Sequence, residues 1–231
     1  NYTGNRYNEL YMKFPAYIYV SEAPSLLNTK EVVTDDYRVV EVGGDGNQYV
    51  RYFVYAKGNM SGSYSSVAKA VIDADENAGV VLNSKQKYIW EDGQTESYGV
   101  LKKEMNMIRA AEKKDSLAAG IAMMINYAGK EVMLSDVQNL NESPDETISR
   151  YLDGTGLNLT GCTLDEVLYY VDHDCPVVAK DGEGDYLILI SYNETAVRYL
   201  KPSTGEEIRS DIEPMRKQFE ESGNVFYSYV K

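Results

Sequence analysis

The sequence predicts an α+β protein in two parts: a small N-terminal α+β module, and a larger unit in which helices precede an antiparallel sheet. Three observations lead to this prediction. Apolar residues recur at helical spacing in several runs between residues 101 and 172. After Pro176 the apolar runs are short and rich in β-branched and aromatic residues, as in strands. The polar stretch Glu91–Ser97 reads as a linker, so we place the two domains at residues 1–95 and 100–231.

The sequence of the first part of the chain predicts strands and a hairpin. Two β-rich runs flank a turn rich in glycine, aspartate and asparagine, and we expect these two runs to pair. An earlier β-rich run, which follows a proline, predicts a further strand. In chain order the segments are Tyr17–Val20, Tyr37–Val42, the turn Gly43–Asn47, and Tyr49–Tyr55.

A helix and two more strands should complete the N-terminal module. Val67, Ala70, Val71 and Ala74 have the spacing of one helix face, and serines precede them as N-cap candidates. Gly79 follows the run and is the expected helix stop. The strand-like runs after it are Val80–Leu82 and Tyr88–Trp90.

In the larger unit the sequence predicts helices, followed along the chain by strands. Two of its helices should begin with a capping box, in which a Ser or Thr is followed three residues later by Glu. Helices are predicted over Leu101–Ile108 and Leu117–Tyr127, and two more are predicted to begin at Ser143–Glu146 and at Thr163–Glu166. The elements predicted after them are the strands Val177–Ala179, Tyr186–Tyr192 and Ala196–Leu200, a helix at Ile212–Glu221 and a strand at Val225–Val230.

Composition narrows the classes of partner. The chain of 231 residues has a formal net charge of −13, which works against binding to nucleic acid or to an anionic membrane. Its densest basic spots are only Lys102-Lys103 and Lys113-Lys114. No run approaches the roughly 18 apolar residues of a membrane span, and no signal peptide or cofactor motif is visible. We therefore expect no nucleic-acid partner and no cofactor.

The two cysteines, Cys162 and Cys175, are not expected to form a disulfide. A predicted helix of about ten residues separates them by about 15 Å, whereas a disulfide needs Cα atoms within about 7 Å. Two free, buried thiols are the simpler expectation. The one histidine, His173, ends the same predicted helix between two aspartates, where an electrostatic and structural role is expected.

Three segments of the larger unit resemble the bacteriocin-processing (double-glycine) peptidases, a branch of the papain-like cysteine peptidases. They are Asp115–Ala119, Gly184–Asn193 and Val197–Gly205. In that family the helix opens with Asp-Cys, the first strand opens with Gly-His-Tyr and the second strand ends in Asp-Pro. The Cys, His and later Asp are the catalytic set. The resemblance covers about residues 105–231 and implies a papain-like fold.

The catalytic positions of that family are all changed in this chain. Ser116 stands at the nucleophile position, Asp185 at the base position and Lys201 at the position of the orienting acid. The upstream glutamine that helps hold the oxyanion has no counterpart in Ala110-Ala111-Glu112. An aspartate, with a reference pKa of about 3.9, is a poor base for a hydroxyl. We therefore predict vestigial positions without catalysis, filled by an Asp185–Lys201 ion pair.

Three alternatives stay open at this point. The first is an active hydrolase or cysteine peptidase with a relocated or misaligned site, such as a Ser116–Lys201 pair or a reactive Cys162 at a helix N-cap. The second is a weak Ca²⁺ site in a Gly-rich loop with three alternating carboxylates, Asp181, Glu183 and Asp185. An acidic hairpin turn explains that loop equally well. The third is a chiefly structural unit, with binding left to the N-terminal module.

A second resemblance concerns location. The segments Leu159–Val171, Cys175–Ala179 and Phe219–Val230 resemble uncharacterised surface-associated proteins of gut Firmicutes. The resemblance implies an extracytoplasmic protein, at the cell surface or secreted, tethered by a segment ahead of Asn1. It also favours a protein that binds a peptide or a protein partner in the old substrate cleft. The sequence does not predict the oligomeric state.

Overall fold

The computed structural model describes residues 30–33, 39–42, 48–50, 52–83, 86–93, 97–138, 142–153 and 155–231. The chain divides into two units, residues 1–92 and 93–231. The predicted strand Tyr17–Val20 and the predicted turn Gly43–Asn47 lie outside the described residues. Whether the two units fold independently, as domains 1–95 and 100–231, stays a prediction.

The first unit contains a small antiparallel sheet in the order β1-β2-β3. The predicted hairpin is present, since β2 and β3 pair with Glu41 opposite Tyr49. The second run of that hairpin is divided between β3 and the following strand β4. The strands are β1 (Lys30–Val33), β2 (Val39–Val42) and β3 (Gln48–Val50).

A second antiparallel sheet, in the order β5-β4-β6-β7, supports helix α1 (Val67–Glu76). The predicted helix face is buried, and the Ser66 side chain caps the helix by accepting a hydrogen bond from the Lys69 amide. Trp90 is buried in the same unit. The strands are β4 (Tyr52–Ala56), β5 (Asn59–Tyr64), β6 (Gly79–Asn83) and β7 (Tyr88–Glu91).

Gly79 does not end helix α1 as the sequence suggested. Asn77 caps the helix, and Ala78 takes the left-handed conformation at φ 51°. Gly79 is instead the first residue of β6, where an added Cβ would lie 2.7 Å from the Tyr55 carbonyl oxygen. Glycine is needed there because two strands approach closely, not because the helix stops.

The second unit begins with a short strand and continues with helices. Both predicted capping boxes are formed, at Ser143–Glu146 and at Thr163–Glu166, with the side-chain and backbone bonds in each. The helices are α2 (Ser116–Tyr127), α3 (Leu134–Gln138), α4 (Pro144–Tyr151), α5 (Leu164–Asp172) and α6 (Ile212–Glu221).

These helices pack on an antiparallel sheet of seven strands. Its order is β13-β12-β11-β10-β14-β9, and β8 pairs with the far end of β11. Helices α2 and α5 both contact the central strands β10 and β11. The strands are β8 (Tyr98–Val100), β9 (Gly156–Asn158), β10 (Val177–Lys180), β11 (Tyr186–Asn193), β12 (Ala196–Lys201), β13 (Glu206–Asp211) and β14 (Phe226–Tyr229).

The prediction of a helix at Leu101–Ile108 is wrong, because this segment contains no helix. Its backbone amides find acceptors elsewhere in the unit. The Leu101 amide donates to the Ile190 carbonyl oxygen at 3.0 Å, and the Lys102 amide donates to Asp174 Oδ1 at 2.8 Å. Tertiary hydrogen bonds have therefore replaced the helical bonds that the apolar spacing suggested.

Both cysteines are buried thiols that form no disulfide, as predicted. Within the described part of the chain, no helix has the length and apolar character required to cross a membrane.

Candidate functional site

Ser116 is the first residue of α2 and is fully buried. Its hydroxyl donates to the Lys113 carbonyl oxygen at 2.7 Å. The same oxygen accepts a hydrogen bond of 3.0 Å from the Tyr186 amide, at the start of β11. Ser116 therefore joins the N-terminus of α2 to the central sheet.

Asp185 lies directly before β11, and 2% of it is exposed. Its Oδ1 accepts from the Tyr186 amide at 2.9 Å, and its Oδ2 accepts a short hydrogen bond from the Ser203 hydroxyl. Burial raises the pKa of Asp185, but hydrogen bonds with Ser203, Ser116 and the Tyr186 amide, together with the charge of Lys201, outweigh burial and lower it. The carboxylate is therefore held in its ionised form.

Lys201 ends β12, and its ammonium group lies between two buried carboxylates. Nζ is 3.1 Å from Asp181 Oδ2 and 3.5 Å from Asp185 Oδ2. Burial lowers the pKa of Lys201, but the hydrogen bond and charge of Asp181 and the charges of Asp185 and Glu183 outweigh burial and raise it. The ion pair expected between Asp185 and Lys201 is present.

Asp181 organises the turn that carries Asp185, a role that the sequence analysis missed. Asp181 Oδ1 accepts hydrogen bonds from the amides of Glu183, at 2.9 Å, and Asp185, at 2.8 Å. The Asp181 amide in turn donates to the Asp185 carbonyl oxygen at 2.8 Å. An aspartate that bonds the amide two residues on is a common turn device. The sequence Asp-Gly-Glu-Gly-Asp is typical of such a turn, but its alternating carboxylates also suggested a metal-binding loop.

These five side chains form one connected group, which we call the charged cluster: Ser116, Asp181, Asp185, Lys201 and Ser203. Hydrolysis by Ser116 would need a nearby base with a pKa near neutrality. The Ser116 hydroxyl bonds the Lys113 carbonyl oxygen at 2.7 Å, and its hydrogen bond with Asp185 helps to keep that carboxylate ionised. The pKa of Asp185 is lowered and that of Lys201 is raised, so both move away from neutrality. The geometry therefore suits a structural ion cluster better than a catalytic set.

The same contacts weigh against the calcium hypothesis for Asp181, Glu183 and Asp185. Lys201 already takes the position between two of the three carboxylates that a cation would need. The third, Glu183, is exposed and pairs with Lys113 at 3.6 Å. Among the residues that the structure describes, no group of three or more His, Cys, Asp and Glu side chains is arranged to hold a metal ion.

The alternative residues for a relocated site are not brought together. His173 caps the C-terminal end of α5, with Nδ1 2.7 Å from the Tyr169 carbonyl oxygen and its ring stacked on Tyr169. Cys175 Sγ is directed at the carbonyl oxygen of His173, at 3.6 Å, and not at the imidazole. Cys162 is buried ahead of the other end of α5, roughly 14 Å from His173 along the helix. These contacts form no cysteine–imidazole pair.

Comparisons with known proteins support the fold. No family model and no curated protein matches the chain. A crystal structure described as a C39-like peptidase from Bacillus anthracis is similar over 58% of this chain and 98% of its own, with 17% identity and a TM-score of 0.50. A double glycine motif protease from an AMS/PCAT transporter, solved with its leader peptide, covers 57% of this chain and 96% of its own, with 13% identity and a TM-score of 0.36.

At 17% identity the likeness to the Bacillus anthracis structure establishes fold and not activity. The matched share of 58% is close to the share of the chain in residues 93–231. The predicted fold class is confirmed: the chain contains the mixed helix and antiparallel-sheet fold of the papain-like C39 peptidases.

Proposed function

We propose that this chain is a peptidase-like protein without peptidase catalysis, which binds a peptide or protein partner in the cleft beside the charged cluster, at the cell surface. The proposal depends chiefly on one observation. At the positions that match the family's catalytic residues, Ser116 and Asp185 are buried, Lys201 is half-buried, and all three are bonded to one another or to the backbone. The surface location is supported only by the resemblance in sequence.

The chemistry of the charged cluster supports the absence of catalysis. General-base catalysis is most efficient when the base titrates near the working pH. Asp185 has a lowered pKa and Lys201 a raised pKa, so at neutral pH the first holds no proton to give and the second cannot take one. A serine hydroxyl is a weak nucleophile unless an adjacent base activates it.

Binding of a polypeptide is supported by the fold and by the rim of the cluster. The similar Bacillus anthracis structure is described as a peptidase, and a cleft of this fold can hold a polypeptide without cleaving it. At the rim, Lys113 and Glu183 are exposed and form an ion pair of 3.6 Å. Exposed pairs of this kind are weak, so their charges are available to a polar partner.

Chemical labelling of the full chain at neutral pH tests the absence of catalysis. A fluorophosphonate probe should leave Ser116 unmodified, and iodoacetamide should label Cys162 and Cys175 only slowly, because both thiols are buried. The unfolded chain in urea, in which both thiols react, is the control. Rapid stoichiometric labelling of Ser116 or of one cysteine in the folded chain would support the active hydrolase instead.

Peptide selection on the full chain tests the binding half of the proposal. Peptides selected from a displayed random library should lose affinity for Glu183→Arg, which reverses a charge at the rim. Glu221→Arg is the matched control, since Glu221 is also exposed but lies on α6. Equal binding to both variants, or no selected peptide, would count against the cleft as the binding site.

A further inference from the structure

The outer edge of strand β13 is open. β13 pairs only with β12 among the strands that the structure describes. The Ile212 amide donates to the Thr195 carbonyl oxygen at 2.9 Å, so these two residues form a hydrogen-bonded pair at the end of the β12–β13 ladder. Because hydrogen-bonded and non-hydrogen-bonded pairs alternate in an antiparallel ladder, the backbone groups of Glu207, Arg209 and Asp211 face away from β12.

The exposed face of β13 has two arginines directly opposite each other. Arg209 lies opposite Arg198 on β12, in a non-hydrogen-bonded pair, where facing side chains approach most closely. Like charges directly opposite each other destabilise a sheet. Arg198 pairs with Glu207, whereas the exposed Arg209 forms no ion pair with any residue that the structure describes. The edge therefore holds a guanidinium group that a further carboxylate would stabilise.

The six residues of β13 can pair with the same strand of a second copy in a limited set of registers. When a twofold axis relates two antiparallel strands, their outward backbone groups meet only if the axis passes through a residue. Two such registers keep five residues of each strand paired, with the axis at Ile208 or at Arg209. With the axis at Arg209, arginine faces arginine and Glu207 faces Asp211. With the axis at Ile208, Glu207 of each copy faces Arg209 of the other.

The register centred on Ile208 fits both faces of the edge. Glu207 of the second copy supplies the carboxylate beside Arg209, and opposite charges that face each other stabilise a sheet. Charged side chains protect an edge from pairing, but here they do so only in the registers in which they repel. Ile208, which is half-buried on the other face, lies against Ile208 of the second copy. The edge is therefore complementary to itself, as a twofold interface requires.

We propose that β13 pairs with β13 of a second copy of this chain, antiparallel and centred on Ile208, so that one sheet continues through both copies. The contact involves one short strand from each copy, which is less than the roughly 800 Å² per partner of a standard stable interface. The dimer is therefore reversible and depends on concentration. This surface shares no residue with the charged cluster, so its failure would leave the proposed function unaffected.

Sedimentation of the full chain over a range of concentrations tests the dimer. In about 0.15 M salt, which screens much of the repulsion between two chains of formal charge −13, we expect the mass to rise from monomer to dimer. Glu207→Arg and Arg209→Glu each place like charges opposite each other twice, so each should weaken dimerisation by about tenfold or more. Glu221→Arg is the matched control on α6 and should leave dimerisation unchanged. A natural chain that stays monomeric at every concentration would overturn the proposal.

Mixing the two charge variants separates this register from any other contact. A Glu207→Arg copy that faces an Arg209→Glu copy has opposite charges in both facing pairs. We expect the equimolar mixture to form a heterodimer, although each variant alone dimerises poorly. A natural chain that dimerises, together with a mixture that stays monomeric, would exclude pairing about Ile208.

Disulfide cross-linking tests the same register by distance. Facing residues of a non-hydrogen-bonded pair have Cα atoms about 4.5 Å apart, which a disulfide can bridge. Mild oxidation should therefore link two copies of Ile208→Cys, while the buried Cys162 and Cys175 stay reduced. Ser210→Cys is the control, because it lies on the same face but four residues, or about 13 Å, from its own copy. Equal cross-linking of both variants, or none with Ile208→Cys, would contradict the proposal.

Discussion

Two groups of side chains in the larger unit surround buried carboxylates with one lysine and with hydroxyl donors, and they differ in how many carboxylates share the lysine. The first is the charged cluster. The second, which we call the chain-end cluster, centres on Asp174, which accepts hydrogen bonds from the Lys102 amide, the Tyr127 hydroxyl and Lys231 Nζ. It joins α2 and the end of α5 to Lys231, so we assign it a structural role.

In the chain-end cluster one carboxylate has two neutral donors and one cation. In the charged cluster Asp181 and Asp185 also have neutral donors, but the two carboxylates share the single ammonium of Lys201. The pKa of Asp174 is nevertheless lowered in the same way as that of Asp185: burial raises it, and the hydrogen bonds and charge outweigh burial. The comparison indicates that Ser116, Asp185 and Lys201 are bonded as in a structural cluster, and we expect Lys201 to be the member on which this cluster depends most.

Lys201→Met should produce the largest effect, because it leaves two buried carboxylates without their cation. Breaking a buried ion pair by removing one partner typically costs about 3–5 kcal/mol. We expect the free energy of unfolding, measured by urea titration, to fall by about that amount. Lys217→Met is the control, since Lys217 pairs with Glu221 in solvent and should cost less than about 0.5 kcal/mol. A loss below about 1 kcal/mol for Lys201→Met would contradict the dependence on this lysine.

Asp174→Asn should destabilise the chain-end cluster by about 2–3 kcal/mol, because an amide nitrogen then faces donors in a buried site. Asp174 is 5% exposed and has a φ of 60°. Asp153→Asn is a close control, because Asp153 has a similar φ of 55° but is exposed. The difference between the two variants in urea titrations isolates the buried contacts from the backbone conformation. Equal losses of unfolding free energy in the two variants would contradict the structural role assigned to Asp174.

Lys231→Met should cost less than about 1 kcal/mol, much less than Lys201→Met. The Lys231 side chain is 49% exposed, and Asp174 keeps its neutral donors, Tyr127 and the Lys102 amide, when the ammonium is removed. The ratio of the losses in unfolding free energy for Lys201→Met and Lys231→Met therefore measures how differently the two clusters depend on their lysines. Similar losses in the same urea titration would show that the two clusters depend on their cations equally.

Both clusters should contribute to the pH dependence of the unfolding free energy. The folded-state pKa values of Asp174 and Asp185 are lowered, so their contribution is present above the unfolded value, about 3.9, and is lost as pH falls through the folded values. The pKa of Lys201 is raised, so its contribution is lost only as pH rises above about 10.4. Asp185→Asn should flatten the acid limb of a plot of unfolding free energy against pH. An unchanged acid limb would contradict the assigned shift.

The features predicted well from sequence are the local ones. The capping boxes at Ser143 and Thr163 need only residues three positions apart, and both formed as expected. The pairing of Asp185 with Lys201 was also expected, but only because the resemblance aligned these positions with residues that meet in a peptidase. Spacing alone could not have brought the two side chains together.

The features that were missed depend on distant contacts. The segment Leu101–Ile108 has apolar residues at helical spacing, yet its amides bond to acceptors such as Ile190 and Asp174 far along the chain. Strand β13 was missed because it is an edge strand that carries mostly charged residues and lacks an alternating apolar pattern. Asp181 looked like a metal ligand until the fold placed Lys201 beside it.

The protonation of Lys201 tests the central claim most directly. Isotope labelling of lysine side chains, followed by NMR titration of the folded chain, reports the pKa of this amine, with Lys201→Arg used to assign its signal. We predict a pKa above the ordinary value of about 10.4, so that Lys201 remains an ammonium ion at neutral pH. A pKa near 7–8, as a general base would need, would contradict this prediction and support a working Ser116–Lys201 hydrolase.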